Sequence, residues 1–180
     1  MRAATANTST PIVLAGHSGG GLLLPVIADD LTAEVAALVF VDSFLPPPSG
    51  TLRLAPPGFM DQLRALATDG VLPPWSSWLG EDALRELVAD DRLRGAMEEE
   101  MPRLPLSYFD ASVPLPDGWD ACPCAYILLT GPYRGSGADA RARGWLVAEI
   151  PGVQHLAMAT EPITVTDTLV ELERTLVGSA

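Results

Sequence analysis

The chain has 180 residues, 48% of them hydrophobic, which is enough material for one domain with a sizeable core. Its 11 basic and 23 acidic residues leave a net charge of −12, and that charge repels phosphate backbones and anionic lipid surfaces. Nucleic acid and membrane are therefore set aside as partners, and a small-molecule substrate is expected.

Residues 1–10 carry one arginine among Thr, Asn and Ser, without the apolar segment that a secretory signal requires, so a cytoplasmic location is expected. Residues 11–15, Pro-Ile-Val-Leu-Ala, form a short continuous apolar run ended by glycine, the pattern of a buried parallel strand. After Ser18 comes a Gly-Gly-Gly segment, and residues 22–31 then read as a buried helix. Pro25 lies near its start, where a first turn has free amides in any case. Residues 35–41 make a second strand, rich in branched side chains, that closes on Asp42-Ser43. Strand, tight turn, helix and strand constitute a βαβ unit.

Proline and glycine dominate residues 45–58, which read as a loop leaving the sheet. Residues 59–68 and 81–101 each look helical, and Glu98-Glu99-Glu100 is a solvated end of the second. Between them residues 73–78, Pro-Pro-Trp-Ser-Ser-Trp, are turn-rich and aromatic. Together these suggest a small helical cap inserted at approximately residues 46–115. Trp75, Trp78, Phe59 and Tyr108 belong to it, either lining an acyl or aromatic pocket or packing the cap.

An alternating half follows. Residues 125–129 read as a strand, 131–137 as a loop, 138–143 as a short helix and 145–150 as a fourth strand. Thr160-Glu161-Pro162 opens a last helix with Val165, Leu169, Leu172 and Leu176 on one face. No apolar run reaches the roughly 18 residues of a spanning helix. The expected fold is one α/β domain over residues 1–180, with a mostly parallel sheet of about four strands flanked by helices. Cys122 and Cys124 read as small core or loop residues, since a disulfide across one residue is strained and two thiolates make a weak metal site. No cofactor or metal is expected.

Gly16-His17-Ser18-Gly19-Gly20 fits the pattern Gly-x-Ser-x-Gly, in which a serine sits on a strained strand-to-helix turn and flanking glycines let backbone pass close by. The pattern alone arises by chance on the order of one chain in ten at this length, so the strand before it and the helix after it are what give it weight. Such a serine needs a base, and the chain has just His17 and His155. His17 adjoins the serine and is expected to point away from it and pack or cap behind the turn. His155 follows the last strand, at the carboxyl edge of the sheet where catalytic groups of open parallel sheets gather, and is the expected base.

On these residues the chain resembles the α/β-hydrolase superfamily from its nucleophile strand onward, with the small esterase and hydroxynitrile-lyase-like branch the nearest in feel. The matching pieces are residues 16–20, residues 38–46 as the following strand and exit, and residues 152–158 around the base. The resemblance implies a partial α/β-hydrolase fold with a cap, a Ser-acid-His chain order, and Ser18 as nucleophile. It places the acid first at Asp42, at the end of the second strand, with Asp139, past the strand at 125–129, as the alternative. It also implies that Gly19 supplies one oxyanion-hole amide, and that the strands and loop supplying the other would lie before Pro11. The strand at residues 11–15 would then be a sheet edge open to self-association.

Three readings follow. The first is a serine hydrolase acting on an ester or related carbonyl through Ser18, His155 and Asp42 or Asp139. The second is a hydroxynitrile-lyase-like enzyme using the same serine and histidine. The third is an N-terminally truncated, impaired hydrolase.

Overall fold

The computed structural model describes residues 10–178 other than Leu79, Glu81 and Asp82. In it the apolar runs become the parallel strands β1 (Ile12–His17), β2 (Val35–Val41), β5 (Cys124–Leu128) and β6 (Leu146–Glu149), in the order β1-β2-β5-β6. Two short strands, β3 (Thr51–Arg53) and β4 (Ser112–Pro114), form a separate pair. The helices are α1 (Leu24–Asp30), α2 (Pro57–Leu66), α3 (Ala83–Leu87), α4 (Asp91–Glu100), α5 (Leu106–Asp110), α6 (Arg134–Ala142), α7 (Ala157–Thr160) and α8 (Pro162–Val177).

The chain divides into two compact units. One is formed by the residues up to Leu52 together with those from Pro114 onward, the other by Arg53–Val113. In the first, β2 and β5 are buried on both faces, which is why they appear in sequence as unbroken apolar runs rather than alternating ones. Val39, Val41, Ala125, Ile127 and Leu129 pack with Val165 and Leu172 of α8. On alternate positions, Phe40 stacks on Trp145 at 5.2 Å, and Trp119 meets Trp145 edge-on at 6.0 Å.

Register decides where the functional residues lie. His17 pairs with Val41 and Val41 with Ile127, so β1, β2 and β5 end level with one another. The residues after those ends, Ser18, Asp42 and the Leu129-Thr130 pair, therefore emerge at the same edge of the sheet. That edge is the carboxyl one, where open parallel sheets build their sites.

Several expected elements differ in detail. The expected helix at residues 22–31 is a 3₁₀ turn, Ser18–Leu23, that passes into α1 with Pro25 in its first turn. The expected single helix at 81–101 is two helices, because the Asp90 carboxylate accepts a hydrogen bond from the Leu93 amide and caps a new start. Glu81, the first residue of that expectation, lies outside the described residues. In the expected loop at 131–137, only Gly131–Tyr133 is a turn and α6 already begins at Arg134. Its Gly137 faces Leu128 and Tyr126, whose atoms a Cβ would meet in ordinary contact at 3.5 and 3.8 Å.

The second unit has its own core of Ala55, Met60, Leu63 and Leu72, with Phe59, Trp78, Leu106 and Phe109 packed against it. Trp78 donates through Nε1 to the Pro73 carbonyl at 2.8 Å and meets Phe109 edge-on at 5.3 Å. Phe59 and Trp78 are thus part of this unit's interior, whereas Tyr108 is partly exposed and set edge-on to Phe109. Glu98, Glu99 and Glu100 are exposed on α4. Cys122 and Cys124 are free thiols, and burial pushes the Cys124 thiol up to about 12, so it stays protonated. Among the described residues no helix is long and apolar enough to cross a membrane.

Candidate active site

Ser18 opens the turn after β1 with φ at +52°, a left-handed conformation that few residues other than glycine adopt. Close packing of the backbone holds it there. A Cβ on Gly16 would stand 2.8 Å from Gly21 Cα and 2.9 Å from Leu24 Cγ, and a Cβ on Gly21 would overlap the Ser43 side chain, 2.7 Å from its Cβ. A Cβ on Gly19 or Gly20 would meet open space. The close approach expected of the motif's second glycine is therefore made by Gly21, one residue outside the pattern.

Asp42 follows β2 with φ at +42° and is fully buried. Its Oδ1 accepts from the amides of Leu129 and Thr130, both at 3.0 Å, and its Oδ2 accepts from Thr130 Oγ1 at 2.6 Å. The same Oδ2 lies 2.7 Å from His155 Nδ1. Burial by itself pushes this carboxyl up, but the hydrogen bonds from His155, Thr130 and Leu129 outweigh it and hold Asp42 below its ordinary value. Asp42 is thus a carboxylate at neutral pH. A carboxylate can only accept, so His155 Nδ1 carries the hydrogen, and Nε2 of the neutral ring is the basic nitrogen.

His17 sits against this pair. Its ring centroid is 4.4 Å from that of His155, and its Nε2 donates to the His155 carbonyl at 2.9 Å. Burial, then repulsion from His155, lowers its pKa from 6.5 to about 4, so it is uncharged at neutral pH. The residue expected to pack behind the turn is in contact with the other histidine.

Asp139 lies exposed on α6 and pairs with Arg143 at 2.7 Å, as helix neighbours four apart. Of the two candidate acids, Asp42 is the one the structure brings to His155. Sequence reasoning missed Tyr133, which stacks on the His155 ring at 5.1 Å with 7° between the planes. Its hydroxyl lies beside the Ser18 side chain, and Phe44 packs on its ring at 5.2 Å. The loop after β5 holds no carboxylate before Asp139, and an aromatic there carries no sequence signal. Among the described residues no three His, Cys, Asp or Glu side chains gather where they could hold a metal ion.

Comparison with known proteins agrees with this architecture. The profile of the alpha/beta hydrolase family matches residues 2–168. A carbendazim-hydrolysing esterase of Nocardioides sp. (strain SG-4G) is 28% identical over 165 residues, covering 78% of this chain and 62% of that protein. The chain therefore spans under two thirds of that curated relative's length. Among solved structures, polyneuridine aldehyde esterase superposes with a TM-score of 0.69 at 17% identity, covering 95% of this chain and 76% of that one. An extracellular alpha/beta-hydrolase from a Paenibacillus species does so with a TM-score of 0.65 at 19% identity, covering 91% and 72%. With most of its length matched by the family profile and its sheet superposing on two such enzymes, the chain belongs to the alpha/beta hydrolase family.

Proposed function

We propose that this chain is a serine hydrolase acting on an ester or related carbonyl, with Ser18 as nucleophile, His155 as base and Asp42 as the acid that orients it. The observation that carries the reading is the 2.7 Å hydrogen bond from His155 Nδ1 to buried Asp42, with Ser18 on a left-handed turn at the same edge of the sheet. The esterase among its relatives supports the same chemistry.

In this reading His155 Nε2 takes the Ser18 proton while Oγ adds to the carbonyl carbon. The imidazolium that forms is stabilised by Asp42, and the developing oxyanion is met by the Gly19 amide, which lies in the first turn where helix amides lack internal partners. His155 then returns its proton to the leaving alcohol. A water, deprotonated by the same nitrogen, releases the acid and restores Ser18.

A fluorophosphonate probe tests the reading: purified folded protein labels, and Ser18→Ala does not. Wild-type protein that stays unlabelled overturns it.

A further inference from the structure

One hydrogen bond at Nδ1 fixes a point of the His155 ring but not its plane. The plane is set by what packs on it. Tyr133 lies nearly parallel to the imidazole, with centroids 5.1 Å apart, within the range of offset stacking. Its backbone is itself fixed: Tyr133 closes the Gly131–Tyr133 turn, its amide donates to the Thr130 carbonyl at 3.2 Å, and α6 begins at the next residue. Thr130 in turn grips Asp42 through its amide and hydroxyl. The ring on one face of His155 and the carboxylate at its edge are thus held by one short segment, residues 129–133.

The other end of the same side chain lies beside the Ser18 side chain. Burial pushes the Tyr133 phenol up, so it keeps its hydrogen at neutral pH. The donor role is part of the proposal: with the phenol donating to Ser18 Oγ, the serine's own hydrogen is left for His155 Nε2.

We propose that Tyr133 is a further working residue of this site, its ring setting the plane of His155 and its hydroxyl holding the Ser18 side chain in line with that base. The roles of those two groups rest on the hydrolase reading above. Neither the Gly-x-Ser-x-Gly pattern nor the Ser-acid-His order includes this residue.

Two variants separate the parts. Tyr133→Phe keeps the ring and removes the hydroxyl, and slows phosphonylation of Ser18 by roughly 10- to 100-fold, the scale of a misplaced reacting group. Tyr133→Leu removes the stacked ring as well, and moves the imidazole proton resonance of His155 by loss of its ring current. The chain has two histidines, so His17→Gln assigns the resonances. A His155 resonance unmoved in Tyr133→Phe beside a slowed rate is a split that a merely structural role does not produce. Equal labelling rates for wild type and Tyr133→Phe across a pH series overturn the hydroxyl's role, and an unmoved resonance in Tyr133→Leu overturns the ring's. Wild-type protein that fails to label removes the hydrolase reading instead, and the resonance still decides whether Tyr133 sets the plane.

Discussion

The Tyr126 hydroxyl holds Ser43 at both of its backbone polar atoms, accepting from the amide at 3.1 Å and donating to the carbonyl at 2.8 Å. Tyr126 is fully buried in β5, so a residue of the core fixes the backbone that leaves β2. Asp42 stands one residue earlier with its φ at +42°, where a residue with a side chain costs on the order of 1–2 kcal/mol. Ser43 also links the turn after β2 to the turn after β1, since its Oγ lies 2.7 Å from the Ser18 carbonyl.

Tyr126→Phe tests this lock. Phenylalanine keeps the ring packing but leaves a buried amide and carbonyl without partners, at a cost of about 1–3 kcal/mol. The urea midpoint falls accordingly, and labelling of Ser18 slows because Asp42 is no longer held. Equal stability of variant and wild type would show that the two hydrogen bonds are replaced at no cost.

The choice of acid is tested by a pair of substitutions. Asp42→Asn places an amide hydrogen among the donors of Leu129, Thr130 and His155 and lets Nδ1 lose its hydrogen, which lowers kcat/KM on the order of 10³- to 10⁴-fold. Asp139→Asn removes a surface ion pair with Arg143, worth about 1 kcal/mol or less, and leaves activity near wild type. Esterase assays on the two variants decide the matter, and the reverse ranking rejects Asp42.

How far the sequence carries depends on what each residue answers to. The strand at residues 35–41 is read to the residue because a strand buried on both faces is apolar at every position. Ser18 is read from the glycines around it. Asp42 stays one of two acids in the sequence, since chain position alone does not say which carboxylate reaches His155. The level ends of β1, β2 and β5 decide it, and they are a property of pairing. Tyr133 is invisible for another reason: stacking on a distant ring needs no local pattern. Asp90, lying within an apparently continuous helix, becomes a cap only once the Leu93 amide is known to face it.

The glycines of the turn after β1 are not equivalent. Gly20→Ala meets open space and leaves stability within about 0.5 kcal/mol of wild type. Gly21→Ala drives a methyl into Ser43, a residue bonded to the turn itself, and costs about 1–3 kcal/mol as overpacking does. Thermal unfolding of the two variants measures the difference. A Gly21→Ala protein that melts with wild type would mean that Ser43 moves aside freely, and the link between the two turns would be lost as an explanation.

His17 makes the stability of the protein depend on pH in a defined window. Its folded value is about 4 against 6.5 for the free side chain, so between these the unfolded chain binds more protons. Stability from this group is complete above about 6.5 and declines as pH falls toward 4, by about 3 kcal/mol in all. Asp42, whose folded value is depressed, acts lower: its contribution is present above about 3.8 and is lost as pH falls below that. His17→Gln keeps a donor for the His155 carbonyl but cannot titrate, so its urea midpoint changes less between neutral pH and about pH 4.5 than that of wild type. Superimposable pH profiles of the two proteins would contradict this. Protonating His17 also places a cation 4.4 Å from the ring that becomes positive in the proposed reaction. Labelling of Ser18 at low pH therefore declines less steeply in His17→Gln than in wild type.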